Sequence, residues 1–113
     1  MLSDEYRYKI LKALEANPAI SQRRLASELG ISLGKVNYCV QALMERGMVK
    51  VKNFKGSTNK RGYIYVLTPK GIEDRAAATA AFLRKKLNEH KAVQQEIEAL
   101  RRELIEHQLF DLL

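Results

Sequence analysis

The segment from Ser21 to Gly47 restricts the possible folds more than any other part of the chain. Ser21 and Ser32 can each cap a helix, because a serine hydroxyl accepts a backbone N–H of the first turn. Gly30 lies between them, where a helix can end in the left-handed conformation that glycine adopts without penalty. We therefore predict that this segment forms two helices joined by a tight turn.

The apolar residues of this segment fit two helices that cross at short distance. They recur at helical spacing on one face of each helix: Leu25, Ala26 and Leu29 in the first, and Val36, Cys39, Val40 and Leu43 in the second. Ala26 is small where the two helices must approach, and Ile31 can fill the corner. We interpret the segment as a helix-turn-helix. The alternative is an ordinary helical hairpin in a core, and the sequence after Gly47 argues against it.

A further helix is predicted before this motif. Ser3 can cap it, the sequence Asn17-Pro18 ends it, and four residues supply a buried stripe: Tyr6, Ile10, Leu11 and Leu14. Ile20, just after this helix, could pair with a later strand.

After the motif the periodicity changes from helical to alternating, which indicates strands. One strand is predicted over Met48–Phe54, with Val49 and Val51 directed inward, and another over Tyr63–Leu67. A polar loop over residues 55–62 joins them. Three helices followed by a hairpin give a mainly α (α+β) fold, the winged helix-turn-helix, over residues 1–71.

The positive charge of the chain is concentrated in the predicted hairpin. The formal net charge is +7, and residues 48–71 contain six Lys or Arg and no Asp or Glu. Such a local excess indicates a polyanionic partner.

A long C-terminal helix is predicted over residues 72–113. Thr68 and Pro69 are a strong start signal, and neither Gly nor Pro occurs from Ile72 onward. One continuous helix of this length would measure roughly 60 Å, which exceeds the width of a domain of about 70 residues. A stripe at three-four spacing, with Leu87 flanking it, therefore predicts a coiled-coil-like homodimer: Leu83, His90, Val93, Ile97, Leu100 and Leu104. The alternative is a helix folded back on itself near Asn88.

At this point the chain resembles the MarR-type winged-helix transcriptional regulators. The resemblance rests on the helix-turn-helix, on ALMERGMV at Ala42–Val49, and on LTPKG at Leu67–Gly71 with Arg61 seven residues before Thr68. Nearly the whole chain looks like a group of short MarR-like regulators associated with bacterial exopolysaccharide gene clusters. The resemblance implies a DNA-binding regulator whose Arg61, matching the family's wing arginine, enters a minor groove.

The second helix of such a motif lies in the major groove. The residues predicted to face the groove lie opposite the buried stripe: Ser32, Leu33, Gly34, Lys35, Asn37, Tyr38 and Gln41. Contacts to the DNA backbone and minor groove are predicted for a second, basic set: Arg23, Arg24, Lys52, Lys55, Lys60 and Arg61. For each residue taken singly, a solvated surface is the alternative. The predicted partner is double-stranded DNA, with a pseudo-palindromic site if the protein is a dimer.

Other classes of function find less support in the sequence. Cys39 could be a redox sensor but fits a small core residue better, and His90 fits a polar register-setting position better than a metal ligand or pH switch. No carboxylate pair, nucleophile-base set or phosphate-cradling loop occurs, so neither an enzyme nor a cofactor or metal site is predicted. A single cysteine and the absence of a membrane span or signal peptide predict a cytoplasmic protein. A protein-interaction module using the long helix, and an RNA-binding winged helix, are the alternatives.

Overall fold

The computed structural model of the chain describes residues 2–53 and 63–112. Its elements in chain order are α1 (Asp4–Ala16), α2 (Gln22–Leu29), α3 (Leu33–Glu45), β1 (Val49–Asn53), β2 (Tyr63–Leu67), α4 (Pro69–Glu106) and a short 3-10 turn, Phe110–Leu112. The two strands form an antiparallel hairpin. This order confirms the predicted winged helix-turn-helix with a long C-terminal helix. The chain divides into two compact units, Met1–Phe82 and Leu83–Leu113.

Three serine caps fix where the first three helices begin. The hydroxyls of Ser3, Ser21 and Ser32 accept backbone N–H groups at 3.2, 3.1 and 3.1 Å. Gly30 ends α2 in the left-handed conformation, with a φ of 67°. Both observations confirm the predicted turn between α2 and α3, because a cap and a left-handed glycine satisfy backbone groups that would otherwise lack partners.

The core of the first unit lies between the three short helices and the base of the hairpin. Its buried members are Ile10, Leu11, Leu14, Ile20, Leu25, Ala26, Val36, Cys39, Val40, Leu43, Met48 and Val49. The predicted apolar stripes of α1, α2 and α3 supply most of this set. One face of α3 is therefore buried within the chain, which leaves its opposite face free for other contacts.

The hairpin differs from the prediction at two residues. Val51 was expected to point inward with Val49, but Val51 is 40% exposed whereas Val49 is 2% exposed. Val51 therefore lies at the margin of the core, although its cross-strand partner Tyr65 packs against that core. The expected pairing of Ile20 with a strand is also wrong. The backbone N–H of Tyr65 instead donates to the carbonyl of Pro18, at 2.9 Å.

The start of α4 is held tightly against the corner between α3 and β1. The Thr68 hydroxyl accepts the N–H of Gly71 at 3.1 Å, which confirms Thr68 as the N-cap. The Thr68 N–H donates to the Met48 carbonyl at 3.0 Å. A Cβ added at Gly71 would overlap that same Met48 carbonyl oxygen. Glycine at position 71 thus permits a close approach of the two backbones.

The first turns of α4 also pack on α1. Tyr8 stacks on Phe82 with ring centroids 5.2 Å apart. Two ion pairs join the same helices, each at 3.2 Å: Arg7 with Asp74, and Arg75 with Glu15. These contacts explain why the first compact unit continues to Phe82, beyond the expected boundary at residue 71.

The second unit consists of the remainder of α4 and the short segment after it. The helix passes Asn88 without interruption, so the alternative of a helix folded back near Asn88 is wrong. Most apolar residues predicted for the dimer contact are exposed in the single chain: Leu83, Leu87, Val93, Ile97 and Leu100. His90 is also exposed, and Leu104 is half-buried.

Candidate nucleic-acid interface

The outer face of α3 is the surface opposite its buried stripe. We use this name for the seven residues predicted to face a groove: Ser32, Leu33, Gly34, Lys35, Asn37, Tyr38 and Gln41. All seven are exposed, whereas Val36 and Val40 between them are buried. The fold therefore brings the predicted set together on one surface of one helix. Its hydroxyl, amide and ammonium groups lie at the protein surface, and Ser32, Lys35 and Asn37 also make hydrogen bonds within the chain.

The N-terminal end of α3 is open to a partner. Ser32 satisfies one backbone N–H of the first turn, that of Lys35. At Gly34 a Cβ would meet no atom within 4 Å, so the surrounding space is empty. Free N–H groups and the positive end of the helix dipole make such a terminus suited to phosphate groups.

A chain of hydrogen bonds joins the outer face of α3 to α2 and to the hairpin. The Asn37 Nδ2 donates to the Gln22 Oε1 at 3.2 Å, and the Gln22 Nε2 donates to the Tyr65 hydroxyl at 3.1 Å. The first of these bonds brings the first turn of α2 beside α3. Arg23 and Arg24 follow Gln22 in that turn and are both exposed.

The two arginines of α2 differ in their surroundings. The Arg24 Nε lies 3.2 Å from a carboxylate oxygen of Glu28, one turn further along the helix. Exposed pairs of this kind contribute roughly 0.3–0.5 kcal/mol, so exchanging Glu28 for a phosphate costs little. For Arg23 the described residues show no ion pair of this kind.

Lys35 leans toward α1 rather than straight outward from α3. Its ammonium lies 4.4 Å from the centroid of the Tyr6 ring and 3.4 Å from the Tyr6 hydroxyl. A cation over an aromatic face at an exposed site is worth about 0.5–1 kcal/mol. Contact between Lys35 and a base or phosphate therefore requires the side chain to leave this position.

The basic residues of the hairpin are only partly within the described chain. Lys50 and Lys52 lie on β1 and are exposed. Lys55, Lys60 and Arg61, also predicted for the interface, lie outside the described residues. Within the described part of the hairpin, the exposed positive charge therefore comes from the lysines on β1.

The remaining candidates from the sequence have separate surroundings. Cys39 is 1% exposed in the core. Burial raises the pKa of its thiol, although the nearby Lys35 acts in the opposite direction. A buried thiol that resists ionisation is a poor nucleophile or redox sensor. Among the described residues, no group of three His, Cys, Asp or Glu is placed to hold a metal ion.

Sequence reasoning missed Gln22, Tyr65 and Tyr6 as parts of this surface. Gln22 and Tyr65 are 43 residues apart, and Lys35 and Tyr6 are 29 apart. No helical or strand periodicity relates such positions. The tertiary fold alone creates these contacts. Gln22 directly follows the Ser21 cap, and a polar residue at that position does not indicate which residue it will contact.

The comparisons with known proteins agree with this geometry. A family described as "Winged helix-turn-helix DNA-binding" matches residues 3–50, which contain α1, α2, α3 and the start of β1. No curated protein sequence gives a significant match.

Several solved structures have a similar fold. The PcaV transcriptional regulator from Streptomyces coelicolor, in complex with its natural ligand, is 21% identical with a TM-score of 0.66, over 89% of this chain and 70% of that one. The MarR protein from Peptoclostridium difficile is 22% identical with a TM-score of 0.58, over 95% and 73%. The transcriptional repressor CouR, bound to a 23-mer DNA duplex, is 24% identical with a TM-score of 0.60, over 89% and 71%.

Within the described residues no helix is both long and apolar enough to cross a membrane. The matched family is described as DNA-binding, and two of the three similar structures are of a transcriptional regulator and a transcriptional repressor. The chain thus has the winged helix-turn-helix fold.

Proposed function

We propose that the chain binds double-stranded DNA with sequence specificity and regulates transcription, with α3 in the major groove. The observation that carries the proposal is the exposed, polar outer face of α3 on the second helix of a helix-turn-helix. Asn37 and Gln41 can each bridge N6 and N7 of adenine, and Lys35 can reach guanine or a phosphate. The matched family and the DNA-bound CouR structure support DNA as the partner.

Contacts to the DNA backbone come from basic residues on both sides of α3. Arg23 and Arg24 lie beside the outer face through the Gln22–Asn37 bond, and Lys52 lies on β1. Lys55, Lys60 and Arg61 belong to the same basic segment, which holds no acid from residue 48 to residue 71. We infer that these residues position the protein on phosphates and that Arg61 enters the minor groove.

The active form is a homodimer that joins through the second unit. The apolar stripe from Leu83 to Leu104 repeats at three-four spacing, which suits a second copy of the same helix. Two recognition helices related by a two-fold axis then favour an inverted repeat with half-sites roughly 34 Å apart. The resemblance to short regulators of exopolysaccharide clusters makes such genes, in a bacterial cytoplasm, the first targets to examine.

Selection of bound sequences from a random duplex pool tests this function. The purified chain should enrich one motif with dyad symmetry and bind it far more tightly than a scrambled duplex. Equal binding to all duplexes, with dissociation constants of about 10⁻⁴ to 10⁻⁶ M at physiological salt, would instead favour the protein-interaction module. Stronger binding to RNA in direct competition would favour an RNA-binding winged helix.

A further inference from the structure

Gln22, Asn37 and Tyr65 form a continuous hydrogen-bonded group that we call the amide relay. Asn37 on α3 donates to Gln22 on α2, and Gln22 donates to the hydroxyl of Tyr65 on β2. Asn37 is exposed, whereas Gln22 and Tyr65 are half-buried. The relay therefore runs from the outer face of α3 into the body of the domain.

The relay determines which groups Asn37 offers to a partner. A carboxamide carries two N–H donors and one acceptor oxygen. Because one N–H of Asn37 is directed to the Gln22 Oε1, its oxygen and its second N–H remain available. A donor beside an acceptor matches N7 and N6 of adenine. The reversed amide would leave two donors, which match the N7 and O6 acceptors of guanine.

Tyr65 is well placed to hold the relay in one orientation. Its backbone is fixed twice, by pairing with Val51 in the hairpin and by the 2.9 Å bond to the Pro18 carbonyl. Its hydroxyl accepts from the Gln22 Nε2, so the Gln22 Oε1 is turned toward Asn37. Without that hydroxyl, the Gln22 amide has no described partner that distinguishes its two ends.

We propose that Gln22 and Tyr65 are positioning residues that set the Asn37 amide to select adenine over guanine. This inference rests on the proposed function, since it requires α3 to read base edges. Neither residue needs to touch DNA. Their effect passes through Asn37 and changes the choice of base rather than the electrostatic attraction.

Two variants break the relay at different points, and a third is a matched control. Tyr65→Phe removes one hydroxyl, and Gln22→Met removes both polar atoms while keeping the length of the side chain. Tyr63→Phe removes a hydroxyl from the same strand and the same strand face, at a residue that is 60% exposed and outside the relay. All are made in the full chain.

The experiment measures discrimination between two duplexes. One is the preferred duplex, and the other carries guanine instead of adenine at the position whose preference is lost in Asn37→Ala. The unmodified chain and Tyr63→Phe should discriminate by roughly tenfold or more, as a good bidentate contact does. Tyr65→Phe and Gln22→Met should lose most of that factor, with an unchanged slope of log affinity against log salt.

A double-mutant cycle separates positioning from a merely structural role. In the Asn37→Ala background, Tyr65→Phe should have no further effect on discrimination. A structural role would weaken both duplexes equally and would persist in that background. Full discrimination in both Tyr65→Phe and Gln22→Met, or a base other than adenine at the Asn37 position, overturns the inference and leaves the proposed function intact. If the unmodified chain prefers no duplex, the proposed function itself fails.

Discussion

The exposed surface of α3 and that of the helix from Leu83 to Glu106 are opposite in chemistry. In α3 the apolar stripe is buried by the same chain, and polar residues such as Asn37 and Gln41 are exposed. In the second unit the apolar stripe itself is exposed, with Leu83, Ile97 and Leu100 between 43% and 60% accessible. The exposed surface of α3 is polar and therefore suits a polar partner. The exposed surface of the second unit suits an apolar partner, because exposure of a continuous apolar stripe to water is unfavourable.

The largest effect is expected at the exposed apolar stripe of the second unit, because burial of this stripe requires a second copy of the chain. Leu100→Asp should convert a dimer into a monomer, because it removes about 2–3 kcal/mol of apolar burial per chain and places a charge in the contact. Light scattering gives the solution mass. Gln95→Asp adds the same charge at an outward position of the heptad and should leave the dimer intact. An unchanged mass for Leu100→Asp would remove the stripe from the dimer contact.

A smaller effect is expected within the first unit, which is packed by its own chain. Gly71→Ala should destabilise folding by about 1–3 kcal/mol, because the new Cβ would overlap the Met48 carbonyl. Gly34→Ala is the matched control. Its Cβ would enter open space on α3, and alanine should stabilise the helix by up to about 1 kcal/mol.

Urea unfolding at one fixed protein concentration measures both glycine variants, since stability of a dimer depends on concentration. Opposite shifts of the midpoint are expected. Equal shifts in the same direction would show that the approach of α4 to Met48 is not a tight contact.

The local features of the fold could be predicted from the sequence, and the structure confirms them. Ser21, Gly30 and Ser32 interact with backbone groups only a few residues away. Their roles in caps and turns can therefore be predicted without tertiary information. The apolar stripes of α1 and α3 were equally predictable, because helical periodicity directly reports which face is buried. The seven residues on the outer face of α3 followed from the same periodicity.

Features that depend on where elements meet could not be predicted. The alternation of apolar and polar residues along β1 predicted that Val51 points inward. The same alternation does not show how far along the strand the core extends. No periodic signal marks Gly71, although the Met48 carbonyl leaves no room for a side chain there. The relay through Gln22 and Tyr65 joins three elements across 43 residues, beyond the range of any periodic signal. The base-reading and dimer roles remain predictions.

A salt titration on a preferred and a scrambled duplex tests most directly whether α3 reads bases. Asn37→Ala and Gln41→Ala should each cost about 1–3 kcal/mol on the preferred duplex and little on the scrambled one, with an unchanged salt slope. Lys52→Ala and Lys60→Ala should weaken both duplexes alike and make the slope shallower by about one unit per lost phosphate contact. If Asn37→Ala and Gln41→Ala weaken both duplexes equally, the outer face of α3 does not read bases and the account is contradicted.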